Sequence, residues 1–173
     1  RVTAVTPANQ VVDEAIKELI QLDAASRQAT ADAAAKRKAA DAAKAAAAGC
    51  KPIARLVAYA IAGVPNDVMG EGPIPSTKVA LARAGLTLDK IDVIESNEAF
   101  AVQSLTVAKN LGFDPAKTNV NGGAIALGHP VGATGAVIVT KLLHEMIRVN
   151  GRYGLATMCI GGGQGITTIW ERV

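Results

Sequence analysis

The sequence predicts a layered α/β domain preceded by a long alanine-rich helix. After Lys51, apolar runs of strand length alternate with helical patterns, and the chain closes with two apolar strands separated by a glycine run. From Asp23 to Gly49, in contrast, there is no Val, Ile, Leu, Met, Phe, Tyr or Trp. We therefore divide the chain into residues 1–50, an N-terminal strand and a long helical segment, and residues 51–173, the α/β domain.

The alanine-rich segment nearly repeats every nine residues, starting at Asp23, Asp32 and Asp41. Alanine has the highest helix propensity, so we predict a helix that begins near residues 7–9 and ends at Gly49. Nine residues make two and a half turns, which leaves no wide apolar stripe. This favours a solvated spacer, with a partner-binding arm as the alternative. The residues just before it have the spacing of an amphipathic helix that can dock on a core: Val11, Val12, Ala15, Ile16, Leu19 and Ile20.

Composition argues against several classes of protein. The chain has 173 residues, half of them apolar, which is enough for one domain with a core. With 18 basic and 15 acidic residues and only 3% aromatics, no nucleic-acid surface is evident. Two cysteines and two histidines form no zinc motif, so no metal is expected. Without a bilayer-spanning run or a secretory signal, we expect no membrane association and a cytoplasmic protein with reduced thiols.

The α/β region begins with a predicted buried strand at 53–62 and a helix at 76–84, with Ser76 as N-cap and Gly85 just past the end. The following elements are predicted, in order, as a strand at 91–95, a helix at 99–111 ended by Gly112, an extended segment at 118–121, a loop at 122–130, a helix at 135–149, and a hairpin of strands at 153–160 and 165–171.

Three loops beside these elements each carry a residue suited to chemistry: Asn97, His129 and Cys159. Ligands of layered α/β proteins usually bind outside the carboxyl ends of strands, where loops and helix N-termini expose N–H groups. We therefore take the three together as a candidate catalytic set.

Each of the three also has a structural alternative. His129 lies at the entry to a long helix, a position that favours a neutral imidazole able to deprotonate a thiol, but a lone histidine is more often structural. Converging glycine amides beside Cys159 would lower the pKa of its thiol. The alternative is that Cys159 is only a small buried apolar side chain at a strand end. Asn97 could orient a water, or it could be a helix N-cap.

Three sequence blocks, in order, resemble the NEAF, GHP and CxG motifs of thiolases. They are Asn97-Glu98-Ala99-Phe100, then the run from Asn121 to Pro130 with Gly132 and Gly135, and Cys159-Ile160-Gly161-Gly162-Gly163. The resemblance covers residues 51 to 173 continuously, including GEGPIP at 70–75, and corresponds to the C-terminal half of a thiolase subunit. It implies a thiolase-like layered α/β half in which a mixed sheet is flanked by helices.

The resemblance further implies acyl transfer between coenzyme A thioesters, by Claisen condensation or by thiolytic cleavage of a 3-ketoacyl-CoA, with no cofactor. By this resemblance, His129 would activate a nucleophilic cysteine, and Asn97 would hold a water that donates to the thioester oxygen. Cys159 would move the α-proton, and the Gly161 N–H would donate to a second oxyanion hole. Residues Ala99 and Phe100 would line the acyl pocket.

The sequence also departs from the thiolase pattern. The half that carries the nucleophile is not in this chain, and Cys50, after a helix C-terminus and outside any nucleophile motif, is a poor substitute. Val2-Thr3-Ala4 resembles the opening strand of the half, but the substrate-contacting loop that usually follows is missing. We therefore expect a complementary N-terminal-half subunit and a hetero-oligomer. The alternatives are a catalytically silent scaffold fragment and a ketoacyl-synthase relative, against which Cys159 argues.

Overall fold

The computed structural model describes residues 6–173, which belong to two units, one ending at Pro52 and one spanning Ile53–Val173. The first contains helix α1, Thr6–Ala47, and the chain turns at Gly49, as the alanine-rich composition predicts. Nearly all side chains between 35 and 50 are exposed. The predicted strand at Val2-Thr3-Ala4 and the apolar face between Val11 and Ile20 lie outside the described residues and side chains.

The second unit is built on a mixed four-stranded sheet in the order β1-β4-β3-β2. The two central strands form a hairpin with antiparallel pairing, β1 adds antiparallel to β4, and β2 adds parallel to β3. The predicted mixed sheet is thus confirmed. The strands are β1 Ala54–Gly63, β2 Val93–Ser96, β3 Tyr153–Gly161 and β4 Gln164–Arg172.

Helices cover both faces of this sheet. On one face, α2 and α3 contribute Ala80 and Val107 to a core that includes Leu155 of β3. On the other face, α5 contributes Leu142 and packs against Ala156, the next residue of β3. Successive side chains of a strand point to opposite faces, so β3 supplies both cores in turn. The helices are α2 Pro73–Ala84, α3 Ala101–Leu111, α4 Ala124–Leu127 and α5 Thr134–Arg148.

Two sequence expectations about the first strand and helix are wrong. The sequence predicts a buried β1, but only Ala60 of this strand is fully buried. Tyr59 and Ile61 are more than half exposed because α5 packs on β2 and β3 and leaves the same face of the edge strand β1 uncovered within the described residues. Ser76 is not the N-cap of α2, which begins three residues earlier after Gly72. Instead, the buried Ser76 hydroxyl lies 2.9 Å from that of Thr167 on β4.

The hairpin between β3 and β4 is tighter than the sequence predicts. Both strands extend into the glycine run, and only Gly162 and Gly163 remain as the turn. Their φ angles are +58° and +79°, the left-handed pair that a two-residue type I′ turn requires. The run of glycines is therefore explained by the turn that joins the two central strands.

No helix within residues 6–173 has both the length and the apolar character needed to cross a bilayer.

Candidate active site

The carboxyl ends of β2 and β3 bring Asn97 and Cys159 to the same edge of the sheet. The two strands are parallel, with Ser96 opposite Thr157, and the Asn97 N–H donates to the Thr157 carbonyl at 2.9 Å. Asn97 therefore follows the last residue of β2 while β3 continues for two residues to Cys159. Cys159 lies within β3, which extends to Gly161, in agreement with the predicted strand at 153–160 and not in the adjacent loop.

The side chain of Asn97 is buried and has no partner among the described residues. It is 2% exposed, and neither Oδ1 nor Nδ2 has a hydrogen bond to any of the described residues. The N-cap alternative for Asn97 is wrong, because Phe100 occupies that position of α3. Since an unpaired buried amide costs free energy, Asn97 is suited to bonding a small polar group.

The ring of His129 is oriented by Thr134, the first residue of α5. The Thr134 hydroxyl donates to the Pro130 carbonyl at 2.9 Å and lies 2.7 Å from His129 Nδ1. With its one proton donated to the Pro130 carbonyl, the hydroxyl can only accept from His129 Nδ1–H, and we assign the Nδ1–H tautomer on this basis. This tautomer leaves His129 Nε2 with a free lone pair, the arrangement that a general base needs. The sequence did not single out Thr134, although its hydroxyl at the start of the helix that follows His129 is a usable signal.

Glu98 joins the segment after β2 to the loop that leads to His129. One carboxylate oxygen accepts from Asn119 Nδ2 at 3.1 Å, and the other accepts from the Ile125 N–H at 3.0 Å. The carboxylate fills the space that a Cβ on Gly123 would take. In the sequence, Glu98 stands out only as part of the Asn97-Glu98-Ala99-Phe100 motif. The bridge could not be predicted because it joins two loops that are far apart along the chain.

A small pocket lies where these segments meet. Asn97 and Thr134 both line it, so the structure brings the orphan amide and the partner of His129 to one cavity, whereas His129 and Cys159 are outside its lining. The full lining comprises Glu95, Ser96, Asn97, Gly123, Ala124, Leu127, Gly128, Pro130, Thr134, Val137, Ile138 and Lys141.

The pocket also contains a buried ion pair that sequence reasoning missed. Lys141 Nζ lies 2.7 Å from Glu95 Oε2, and the two side chains are 19% and 1% exposed. Burial raises the pKa of the Glu95 carboxyl, and the hydrogen bond from Lys141 opposes that rise. Glu95 Oε1 has no partner among the described residues.

Cys159 differs electrostatically from the sequence expectation. Its thiol is half-buried, and burial raises its pKa, so the expected lowering by glycine amides is wrong. The physical reason is that Gly162 and Gly163 form the hairpin turn, while Cys159 lies within the strand opposite Gly165. Desolvation therefore dominates the protonation of this thiol.

The remaining candidate residues lie close to these elements. Gly161 ends β3 with φ +94° and pairs with Gln164 across the turn. Ala99 is half-buried and Phe100 is 59% exposed, both between β2 and α3. In the described residues, no three His, Cys, Asp or Glu side chains cluster closely enough to hold a metal ion.

The chain matches known proteins over most of its length. A family model described as "Thiolase, C-terminal domain" matches residues 50–172. The beta-ketothiolase BktB of Cupriavidus necator is 56% identical over 158 residues, which are 91% of this chain and 40% of that protein. The acetyl-CoA acetyltransferase of Escherichia coli is 60% identical over 129 residues, which are 75% of this chain and 33% of that protein.

Solved structures agree with these sequence matches. Human mitochondrial 3-ketoacyl-CoA thiolase in complex with CoA superposes with a TM-score of 0.74 at 47% identity, covering 75% of this chain and 33% of that chain. The acetyl-CoA acetyltransferase of Bacillus anthracis gives 0.73 at 44% identity, with the same coverage. The chain thus spans 33–40% of the length of these relatives. Because the family model covers most of the chain and the fold agrees, this chain belongs to the thiolase family and matches its C-terminal domain.

Proposed function

We propose that this chain is the C-terminal catalytic half of a thiolase, acting in acyl transfer between coenzyme A thioesters. The reaction would be Claisen condensation of two acyl-CoA molecules or thiolytic cleavage of a 3-ketoacyl-CoA. A complementary N-terminal half, as a separate subunit or as a further part of a longer chain, would supply the nucleophilic cysteine. Family membership and the 33–40% span of the relatives support this division of labour.

The contact of His129 Nδ1 with the Thr134 hydroxyl is the observation that carries the proposal. Because Thr134 accepts from Nδ1–H, the free lone pair of Nε2 can take the proton of a cysteine thiol presented by the complementary half. The protonated ring can then donate to the oxygen of the acylated thioester. The ring is exposed in this chain, so a second polypeptide can reach it.

The buried amide of Asn97 would hold a water as a second donor to that oxygen, and the Gly161 N–H would donate to the oxygen of the second thioester. Such preorganised donors contribute about 3 kcal/mol each to the transition state. Cys159 would remove the α-proton of the incoming acyl-CoA or return it to the departing carbon. Its raised pKa makes the thiolate a stronger base once it forms.

Ala99 and Phe100 would line the acyl pocket, with Phe100 giving a large exposed apolar surface that a substrate can cover. We propose a cytoplasmic hetero-oligomer that uses coenzyme A thioesters as substrates and needs no further cofactor. Residues 51–173 would form its thiolase domain.

The test combines this chain with the part of the Escherichia coli acetyl-CoA acetyltransferase that precedes its matched segment, and measures thiolysis of acetoacetyl-CoA. We expect turnover in the mixture and none with either part alone. His129→Ala should lower kcat by about 10²-fold or more, the range of general acid–base catalysis. His144→Ala, an exposed histidine on α5, is the matched control and should leave kcat unchanged.

If the two polypeptides associate but show no turnover, the chain acts as a scaffold fragment and the proposed activity is wrong. If the mixture is active and Cys159→Ala leaves the rate unchanged, the role given to Cys159 is wrong.

A further inference from the structure

Helix α5 presents a stripe of polar side chains to the segments that carry Asn97 and His129. Thr134, Lys141 and Glu145 are spaced by seven and four residues, which places them on one face of the helix. Thr134 contacts His129, as described above, and Glu145 accepts from Asn121 Nδ2 at 2.8 Å. Lys141 lies between these two contacts and holds the most buried ion pair of the stripe.

The ammonium of Lys141 bonds two chain segments at once. It donates to Glu95 Oε2 at 2.7 Å and to the Gly122 carbonyl. Glu95 precedes Asn97 by two residues at the end of β2, and Gly122 opens the loop that ends at His129. A single side chain therefore connects the two backbone segments on which the candidate donors depend.

An ammonium suits this place because it has three protons in a compact group. One acceptor is the buried Glu95 carboxylate and the other is a backbone carbonyl. An apolar side chain at this position would leave both oxygens of the carboxylate unpaired by the described residues. Such a carboxylate would take a proton or draw the loop into a new arrangement. Either change would displace the segment that precedes Asn97 or the one that leads to His129.

We propose that Lys141 is a positioning residue that fixes Asn97 and the His129 loop relative to each other through Glu95 and the Gly122 carbonyl. Its catalytic consequence rests on the proposed acyl transfer, whereas its geometric consequence belongs to this chain alone. The two can therefore be tested separately.

The chain offers a control pair with a cation of the same exposure, whose carboxylate also bonds Arg152. Arg55 lies 2.7 Å from the buried Glu171, and its side chain is 19% exposed, the same as that of Lys141. This pair joins β1 to β4 and contributes nothing to the lining of the pocket. Arg55→Met therefore removes a comparable partly buried cation while the site segments keep their contacts.

The kinetic test uses the mixture with the complementary thiolase half, with each variant assayed well below its own melting temperature. We expect Lys141→Met to lower kcat by about 10²-fold with a much smaller change in KM, because a displacement of about 1 Å can cost that factor. Lys141→Arg, which keeps the charge, should recover part of the rate. Arg55→Met should keep the rate close to that of the unmodified chain. Equal losses of kcat for Lys141→Met and Arg55→Met would overturn the inference, since both would then reflect stability alone.

The second test is independent of activity and uses the full chain alone. In NMR spectra, Lys141→Met should shift the side-chain amide of Asn97 and the ring nitrogens of His129, whereas Arg55→Met should leave both unchanged. If the unmodified mixture shows no turnover, the proposed function fails, and the spectra still decide the role of Lys141. Unchanged Asn97 and His129 signals in Lys141→Met would overturn it. If that variant does not fold, Lys141→Gln, which retains hydrogen-bonding capacity without charge, is judged by the same signals.

Discussion

At the scale of single residues, the tautomer assigned to His129 depends on a neighbour that the family motifs do not contain. His129 receives its tautomer from Thr134, and the proton of that hydroxyl is committed to the Pro130 carbonyl. The Pro130 carbonyl therefore orients the Thr134 hydroxyl, and this hydroxyl determines which ring nitrogen of His129 keeps the lone pair that would accept a proton.

Replacing Thr134 by Val removes this hydrogen bond at nearly constant shape. We expect the His129 ring to lose its preference for the Nδ1–H tautomer. In the proposed acyl transfer, kcat of the mixture with the complementary half should fall by about tenfold or more, because His129 would then be a less well oriented base. Nitrogen chemical shifts of the ring report the tautomer. Thr140→Val, at an exposed position on the same helix, is the control, and identical shifts in both variants would contradict the assignment.

The pH dependence of Cys159 follows from its burial. Because burial raises the pKa of this thiol, alkylation by iodoacetamide in a Cys50→Ser chain should reach half its maximal rate at a higher pH than in the same chain unfolded by guanidinium chloride. An inflection at the same or a lower pH would show that the turn amides dominate.

The same shift has a defined sign for stability. At pH values between the pKa of the unfolded chain and that of the folded chain, the folded state retains the thiol proton that the unfolded state has lost. The resulting contribution to the free energy of unfolding is therefore complete below the unfolded pKa and is lost as pH rises through the folded pKa. Cys159→Ala should weaken this fall of the free energy of unfolding at alkaline pH, which denaturant titrations at several pH values would measure.

At the scale of elements, the β3–β4 hairpin that carries Cys159 and Gly161 depends on a turn whose two positions favour glycine. A Cβ on Gly163 would collide with the Val64 carbonyl, whereas a Cβ on Gly162 would meet no atom of the described residues within 4 Å. Both residues have positive φ, which costs an alanine about 1–2 kcal/mol. Gly163→Ala should therefore lower the free energy of unfolding by more than Gly162→Ala, as measured by denaturant titration. Equal losses would mean that strain in φ alone, and not the close approach to Val64, limits this turn.

The loop before His129 depends in a similar way on the contact between Glu98 and Gly123. A Cβ at Gly123 would occupy the position of the Glu98 carboxylate, while one at Gly132 would meet nothing within 4 Å in the part of the chain that the structure describes. Gly123→Ala should cost about 1–3 kcal/mol of stability, the usual range for overpacking, and speed hydrogen exchange at the Ile125 amide. Gly132→Ala should do neither. Protected exchange at Ile125 in Gly123→Ala would show that Glu98 does not hold this loop.

At the scale of the whole molecule, the sheet and its two helical layers lie entirely within Ile53–Val173. A chain starting at Cys50 should therefore keep the fluorescence and thermal transition reported by Trp170, which packs beside the α5 core. A chain starting at Val64, which lacks β1, is the contrasting case, because it would expose the long edge of the central strand β4. Loss of the transition in the first of these chains would show that residues before Cys50 are needed for folding.

Much of this architecture could be predicted from local sequence. The limits of α1, α3 and α5 fall within two residues of expectation at most ends, because alanine content, periodicity and terminal glycines act over a few residues. The hairpin, the alternation of strands and helices, and the motif residues Asn97, His129 and Cys159 are also visible in the order of the chain.

What the sequence could not decide depends on partners far apart in the chain. Exposure of β1 depends on its place at the sheet edge, and the buried position of Ser76 depends on β4. The same holds for the site: Lys141 meets Glu95 across 46 residues, and Glu98 meets Ile125 across 27. Sequence alone thus determined which residue types the chain offers and the local elements that carry them. Only the tertiary structure decided which groups lose water and which pair, because desolvation and hydrogen-bond geometry depend on segments that meet only after folding.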